Sequence, residues 1–513
     1  KNCLFGNGSG TVGSDPVPGN ASFKSLSADN YRLTGASDAL DKGLVPTASL
    51  IDLDGNPVVD GKPDIGCYEY DAASEPFDVV MTYSVDSILE GAKVTYSGTP
   101  VNPPKEKTLA YLWTLTDGSH TQTSTALSGT FTIEEAGQYS LSLRVKDAYT
   151  GEVLLDKLGE KAIPVYVREV WATPSDNLTS VVSALKAGQV LHLAEGTYPL
   201  SAAVALTAGA TIIGAGRDKT VIDGQNAYRP FSLDERSAVV SNLTIRAINA
   251  PNDNGTCVTI SRGKLLDVRV TACRINNAKY GKTPLLIKNG GLVDHCTIDS
   301  CTNVNSSSFS TWTYTRASGV VVENGKLRNS LICRNYGNAP DGTVFLGANT
   351  GGSGLMENCT VVDNLNEGST CEAVAVLIGD GGYVRNTVVA RNSSPNWTSA
   401  HTDSKAPTAS APDWAYRAQG VTLANSYNNC WGDSEEDFGK DCADGLKILF
   451  KDPANGNWRF GALSSCYDAG KLDATWMTGA TDLDGNPRVF HRNRVDIGCY
   501  ECQDTKGLVI QVR

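Results

Sequence analysis

VTISRGKLLDVRVTACRI (258–275), LLIKNGGLVDHCTI (285–298), VVVENGKLRNSLI (320–332) and VAVLIGDGGYVRNTVV (374–389) share one pattern. An apolar run leads into a glycine turn and then into a box of the form N-x-x-[IV]. The box begins at Asn242, Ala272, His295, Asn329, Asn358 and Asn386. Its fourth position is always apolar: Ile245, Ile275, Ile298, Ile332, Val361 and Val389. Each repeat holds two or three short β runs broken by Gly or Asn. A unit this small cannot bury its apolar face alone, so neighbours must stack. Stacked coils with an inward Asn/Cys/Ile ladder predict a right-handed parallel β-helix over 169–427.

The rest of the chain is read around that helix. Its 513 residues suit about three domains. Lys and Arg number 44 against 56 Asp and Glu, a net charge of −12, which excludes the basic face a nucleic-acid binder needs. No run of 18 apolar residues offers a membrane span. A 41 % hydrophobic content in periodic order excludes a disordered chain.

A longer repeat frames the helix. Asn30-Tyr31-Arg32-Leu33 returns as Asn457-Trp458-Arg459-Phe460, DLDGNP (52–57) as 482–487, and DIGCYE (64–69) as 496–501. Residues 1–70 and 428–502 are therefore two copies of one module, within domains expected at 1–76 and 428–513. The second follows the coils; the first is expected to close another β-helix preceding it, and GLVIQV (507–512) to begin a further domain. Between the copies, AYLWTLTDG (110–118) and GQYSLSLRVKDA (137–148) alternate with period two, which predicts a β-sandwich over 77–168 with Trp113 in its core.

Several of these stretches carry a resemblance. AGQVLHLAEGTYPLSAAVAL (187–206) and TIIGAGRDKTVIDG (211–224) resemble the opening coils of pectate-lyase-like β-helices. The D-x-D-G-N-P and D-I-G-x-Y-E boxes resemble the closing segment of secreted Bacteroidetes β-helix proteins with a choice-of-anchor Q domain. The W-x-x-x-D-G and G-x-Y-x-L-x-L-x-V-x-D boxes resemble a PKD-type immunoglobulin-like domain. The resemblance implies a secreted or outer-surface protein with a polysaccharide, a cell-surface glycan or other surface proteins as partners. It implies a glycan-binding or adhesive role, with a polysaccharide lyase, a glycosidase or a structural stalk as alternatives, because this superfold hosts many functions.

Candidate chemistry is sparse. VDHCTI (293–298) is superficially lyase-like, but His295 falls in the box column and reads as a satisfied ladder residue. No acidic series suits an inverting glycosidase. The D-x-D-G-N-P boxes could supply oxygens to calcium, yet lack the further spacing of an EF-hand and read as turns, so no cofactor is expected. Cys273, Cys296 and Cys359 fall in one column and are expected to be reduced and buried, while Cys430, Cys442, Cys466, Cys499 and Cys502 are left unassigned. Two long insertions, 299–318 and 391–420, carry a density of aromatic residues, with a shorter loop between them. Trp312, Tyr314, Arg316, Tyr336, Trp397, Trp414, Tyr416 and Arg417 are the candidate glycan-binding residues, since sugar rings stack on aromatic faces while Arg binds their polar groups.

Overall fold

The structure is a computed structural model. It describes residues 4–5, 17–18, 22–25, 30–33, 37–44, 51–58, 62–70, 76–104, 106–250, 255–276, 283–304, 317–338, 342–347, 353–367, 373, 375–393, 416–417, 429–431, 448–489 and 494–503. Contacts divide the chain into two units, 1–166 and 167–513. Both are built from β-strands, and no helix is long and apolar enough to cross a membrane.

In the first unit, alternating side chains close a β-sandwich. Asp78–Val85, Ala92–Val101 and Ser128–Ile133 form one antiparallel sheet. Leu109–Thr116, Thr121–Ser124, Gly137–Asp147, Val153–Leu158 and Ile163–Val165 form the other. Trp113 is fully buried between them. Its ring lies 4.6 Å from that of Tyr96, which stacks on Phe131 at 4.9 Å.

The second unit is a right-handed parallel β-helix. Asn177 caps the helix Leu178–Ala184 by accepting from Ser180 N–H, and Leu178 and Val182 cover the first coil's core. Each coil then contributes strands to stacked ladders. Ladder 1 includes Val190–Leu193, Thr211–Gly214, Gly291–Asp294, Gly325–Arg328, Gly354–Glu357 and Gly382–Arg385. Ladder 2 includes Gly196–Pro199, Thr220–Ala227, Thr297–Asp299, Leu331–Cys333, Thr360–Val362, Val388–Ala390 and Cys430–Trp431. The long strands Val239–Ala250 and Lys264–Thr271 run through both. Ladder 3 holds the short strands Arg274–Asn276, Thr302–Val304, Tyr336–Gly337 and Leu365–Asn366. Ladder 4 runs from Val204–Leu206 to Tyr416–Arg417. Its Val204, Phe231, Val258 and Leu285 stack in register, each 27 residues after the last.

The box is the corner between ladders 1 and 2. Asn242, Asp267, His295, Asn329, Asn358 and Asn386 adopt a left-handed conformation there, with φ between 46° and 55°. Asn and Asp tolerate that region because their short polar side chains bond locally. A second left-handed corner follows five residues later in each of these six coils: Ala247, Ala272, Ser300, Arg334, Asp363 and Arg391, with φ of 50–60°. This corrects the box register. Asp267, not Ala272, is the partner of Asn242, and Ala272-Cys273-Arg274-Ile275 imitates the box one corner late.

The cysteine column divides accordingly. Cys296 and Cys359 follow the first corner, where Cys296 N–H donates to Ser330 Oγ (3.1 Å) and Cys359 N–H to Thr387 Oγ1 (3.4 Å). Cys273 follows the second corner and stacks with Cys301. All four are buried free thiols, and burial pushes the Cys296 thiol up to about 12. Further along the second column, Asn335, Asn364 and Asn392 form a buried amide ladder, Nδ2 to Oδ1 at 3.0 and 2.8 Å.

The closing module lies on the side of this helix. Along ladder 2 the outward positions are charged in the early coils (Asp223, Arg246, Arg269, Asp299) and apolar later (Leu331, Cys333, Val362, Val388, Ala390). The module covers the apolar stretch with Trp458, Phe460, Cys466, Leu483, Ile497 and Cys499. Each large side chain in that contact contributes on the order of 2 kcal/mol. The first-corner side chains serve as its docking rail. His295 Nε2 lies 2.6 Å from the Thr481 carbonyl, Asn358 Nδ2 donates to the Asp496 carbonyl (3.3 Å), and Asn386 exchanges two hydrogen bonds with the Lys471 backbone (both 2.9 Å). The other ring nitrogen of His295 faces Asp294 at 2.9 Å, so the histidine is a structural residue of the rail. Arg488, fully buried, donates to Asn329 Oδ1 and Glu501 Oε1, both at 2.7 Å.

The D-x-D-G-N-P box is a turn. Asp482 Oδ1 accepts from the Asp484 and Asn486 N–H groups, and Oδ2 accepts from Asn486 Nδ2 and Glu501 N–H. Beside it, burial pushes the Glu501 carboxyl up to about 8, partly offset by Arg488. Burial likewise pushes Asp496 up to about 6, against the Cys502 and Asp468 N–H groups it accepts from. Both folded values lie above the unfolded ones, so the folded state binds more protons than the unfolded state across this range, and these groups cost stability as pH rises through about 6 and then 8. The melting midpoint of the β-helix unit is expected to be higher at about pH 5.5 than at about pH 8.5. A midpoint that rises with pH over that window would show that these carboxyls are ionised without penalty.

Candidate ligand-binding cleft

Where the closing module stops and the charged part of ladder 2 begins, a cleft of about 310 Å³ opens. Its floor is the outward face of three successive strands: Arg269, then Thr297 and Asp299, then Leu331 and Cys333. Arg217 and Asp218 come from the turn after Thr211–Gly214, Arg334 from a second corner, and Asn455, Gly456 and Trp458 from the closing module. GAGRDK (214–219) is a turn between coils, closed by Lys219 N–H donating to the Gly216 carbonyl (3.1 Å).

The charges are unequal in freedom. Arg269 holds Asp299 bidentately at 2.8 and 2.7 Å, and Ser300 Oγ adds a bond to the same carboxylate at 3.1 Å. Arg217 is paired with Asp267 through Nε at 2.6 Å. Arg334 is different. It is exposed, and no carboxylate among the described residues forms an ion pair with it. Its guanidinium lies against Gly456, where a Cβ would collide with it. Gly456 has φ of 76°, a left-handed backbone that favours glycine there. The cleft thus offers a guanidinium with no ion-pair partner among the described residues, an exposed carboxylate at Asp218, the Thr297 hydroxyl and the Asn455 amide, whose Nδ2 also donates to Asp452 at 2.7 Å.

The residues singled out from the sequence lie elsewhere. Trp312, Tyr314, Arg316, Trp397 and Trp414 fall outside the described residues. Tyr416 and Arg417 form the last described rung of ladder 4, paired with Leu377 and Ile378. Tyr336 belongs to ladder 3, stacked between Thr302 and Leu365, and its hydroxyl donates to Glu367 at 2.7 Å. Tyr336 is a strand residue rather than a loop residue, and it does not share a ladder with Tyr416. The first insertion does not leave the coil directly after Ile298: the chain first completes Thr302–Val304. The second likewise follows Ser393, bridged to Leu365, rather than Val389.

The outward positions of ladder 4 are Ala205, Ser232, Thr259, Leu286, Val321, Phe345 and Leu377. Leu286, Val321, Phe345 and Leu377 are buried with Ala317 and Ala373 in a small apolar cluster. At the end of this face stands Lys288, in register with Ser261.

Neither a protein-family profile nor a curated protein matches the chain. Among solved structures it is similar to the pectate lyase Pel9A, with 12 % identity, 65 % of this chain and 96 % of that one covered, and a TM-score of 0.28. It is similar to a family 28 exopolygalacturonase of Yersinia enterocolitica, with 9 % identity, coverage of 74 % and 90 %, and a TM-score of 0.22. It is also similar to a tailspike protein of E. coli bacteriophage HK620 in complex with a pentasaccharide, with 13 % identity, coverage of 56 % and 66 %, and a TM-score of 0.22.

Proposed function

We propose that this chain is an extracellular glycan-binding protein that holds an acidic saccharide in the cleft beside its closing module without cleaving it. The observation that carries this reading is Arg334: a guanidinium without a carboxylate partner among the described residues, in a cleft that also presents Asp218, Thr297 and Asn455. A guanidinium fork matches a carboxylate, and the three neighbours match sugar hydroxyls. The volume lies at the lower end of small-ligand sites. Retention without turnover fits the commitments of the charged groups. Both oxygens of Asp299 are held by Arg269, which makes that carboxylate a weaker base and leaves Asp218 as the other carboxylate of the lining. The aromatic insertions with Trp312, Tyr314, Trp397 and Trp414, together with Tyr416, belong to the proposal as a further contact for a longer chain.

Calorimetric titration with uronic-acid oligosaccharides and with neutral ones of equal length tests it. Arg334→Ala is expected to weaken the acidic ligands roughly 10- to 100-fold, the value of one charge-assisted pair. The melting temperature should stay within about 2 °C, because the substitution breaks no described ion pair. Equal affinity for acidic and neutral oligosaccharides, unmoved by Arg334→Ala, would remove the cleft from the account.

A further inference from the structure

The two copies of the closing module share one internal geometry. Asn56 N–H donates to Asp52 Oδ1 at 2.7 Å, as Asn486 N–H does to Asp482 Oδ1 at 2.8 Å. Leu53 N–H donates to the Cys67 carbonyl and Leu483 N–H to the Cys499 carbonyl, both at 2.9 Å. Tyr70 N–H meets Asp64 Oδ2 as Cys502 N–H meets Asp496 Oδ2, both at 2.6 Å. Arg32 pairs with Asp54 over the Tyr68 ring, and Arg459 with Asp484 over the Tyr500 ring. The inner residues agree as well: Leu33 and Phe460 are both buried.

One face differs. In the second copy Leu483 is 8 % exposed and Cys499 is fully buried, because both sit on ladder 2, where Cys499 N–H donates to Thr360 Oγ1 (3.1 Å). The matching Leu53 is 72 % exposed, and Cys67 is exposed. Ile51, at the position of Thr481, is 68 % exposed, and Leu44, at the position of Lys471, 53 %. An apolar face on a correctly formed module marks an interaction surface.

We propose that this face of residues 1–70 docks on the terminal coils of a second parallel β-helix, joined ahead of it in the same polypeptide in the coil-then-module order of the second copy. The second copy specifies the partner's chemistry. Its outward strand positions are small and apolar, as Leu331, Val362 and Ala390 are. One rung carries a hydroxyl for the Cys67 N–H, as Thr360 does for Cys499. Its left-handed corners carry Asn to meet the Leu44 backbone and the Asp64 carbonyl, as Asn386 and Asn358 meet Lys471 and Asp496. At Val58, where the second copy has Arg488, an apolar contact replaces the buried guanidinium.

The test uses the 513-residue chain and a version with residues 167–427 duplicated ahead of Lys1. The longer version carries Val58→Arg, so that the rung holding Asn329 meets its usual partner. In the 513-residue chain a water-soluble maleimide should label Cys67 rapidly under native conditions and leave Cys499 unlabelled. In the longer chain Cys67 labelling should slow by about 100-fold or more, as expected once exposure requires local opening. Cys67 that stays fast while every β-helix thiol is protected overturns the proposal. A second measurement needs no duplication. Leu53→Glu should leave the melting temperature of the 513-residue chain unchanged while Leu483→Glu lowers it. Equal loss from both would place Leu53 in the module's own core and equally overturn the proposal.

Discussion

At about pH 9, where Glu501 is ionised, replacing Arg488 by methionine is expected to destabilise the β-helix unit by about 3–5 kcal/mol, the loss typical of breaking one side of a buried ion pair. Methionine keeps most of the volume, so the loss is electrostatic. The guanidinium is fully buried and joins two parts of the fold: Glu501 and the Gly498 carbonyl in the module, and Asn329 at a coil corner. Without it Glu501 stays buried beside Asp496, which it also serves by accepting the Asp496 N–H. Asn329 loses its partner at the rail. Denaturant titration should show a lower midpoint for the β-helix unit, with the β-sandwich transition unmoved. A loss under about 1 kcal/mol would mean the module is held by its apolar contact alone.

Asn364→Leu carries the second large effect, about 2–5 kcal/mol, from several buried groups losing partners at once. Asn364 Oδ1 accepts both the backbone N–H and Nδ2 of Asn335, each at 3.0 Å. Its Nδ2 donates to the Ile332 carbonyl at 3.1 Å and to Asn392 Oδ1 at 2.8 Å. Leucine supplies none of these, and the three amides are buried. The earlier coils place Ile248, Cys273 and Cys301 in the same column, so the fold accepts apolar side chains there when their neighbours match. The triple replacement of Asn335, Asn364 and Asn392 by leucine is therefore expected to cost less than the sum of the three singles, because fewer amides are left facing leucines. Simple additivity in urea melts would show that the three amides act independently.

The sequence made the β-helix legible through its first corner. A left-handed residue once per coil selects Asn and Asp, and the apolar residue three places on points inward, so the pattern survives in the letters. The second corner was illegible because Ala, Ser, Arg and Asp all occupy it. That is why Ala272-Cys273-Arg274-Ile275 passed for a box and drew Cys273 into the wrong column. The module repeat was legible because its aspartates each satisfy several N–H groups, which fixes D-x-D-G-N-P and D-I-G-x-Y-E together. Its position on the flank of the coils was not. That depends on outward residues of ladder 2 turning from Arg269 and Asp299 to Leu331, Val362 and Ala390, a change spread over coils about 30 residues apart.

The cleft could not be read directly, because Arg217, Arg269, Asp299, Arg334 and Trp458 come from separate stretches that only coil stacking brings together. The one available signal was the same outward alternation: charges facing solvent in early boxes, apolar residues in later ones, and hence a border where a covering module must end. The aromatic insertions stood out by composition alone, and composition does not say which ladder a residue belongs to. Tyr336 on ladder 3 and Tyr416 on ladder 4 illustrate this.

The central claim is retention of an acidic glycan without turnover. Its most direct test incubates the 513-residue chain with uronic-acid oligosaccharides and follows two signals in one sample: bound ligand by calorimetry, and new chain ends by ultraviolet absorbance and reducing-end assay. The account predicts saturable heat that weakens with added salt, as an Arg334–carboxylate contact requires, and no increase in either kind of chain end. Accumulation of unsaturated or reducing ends that is abolished by Asp218→Asn would contradict it and make the cleft a catalytic site.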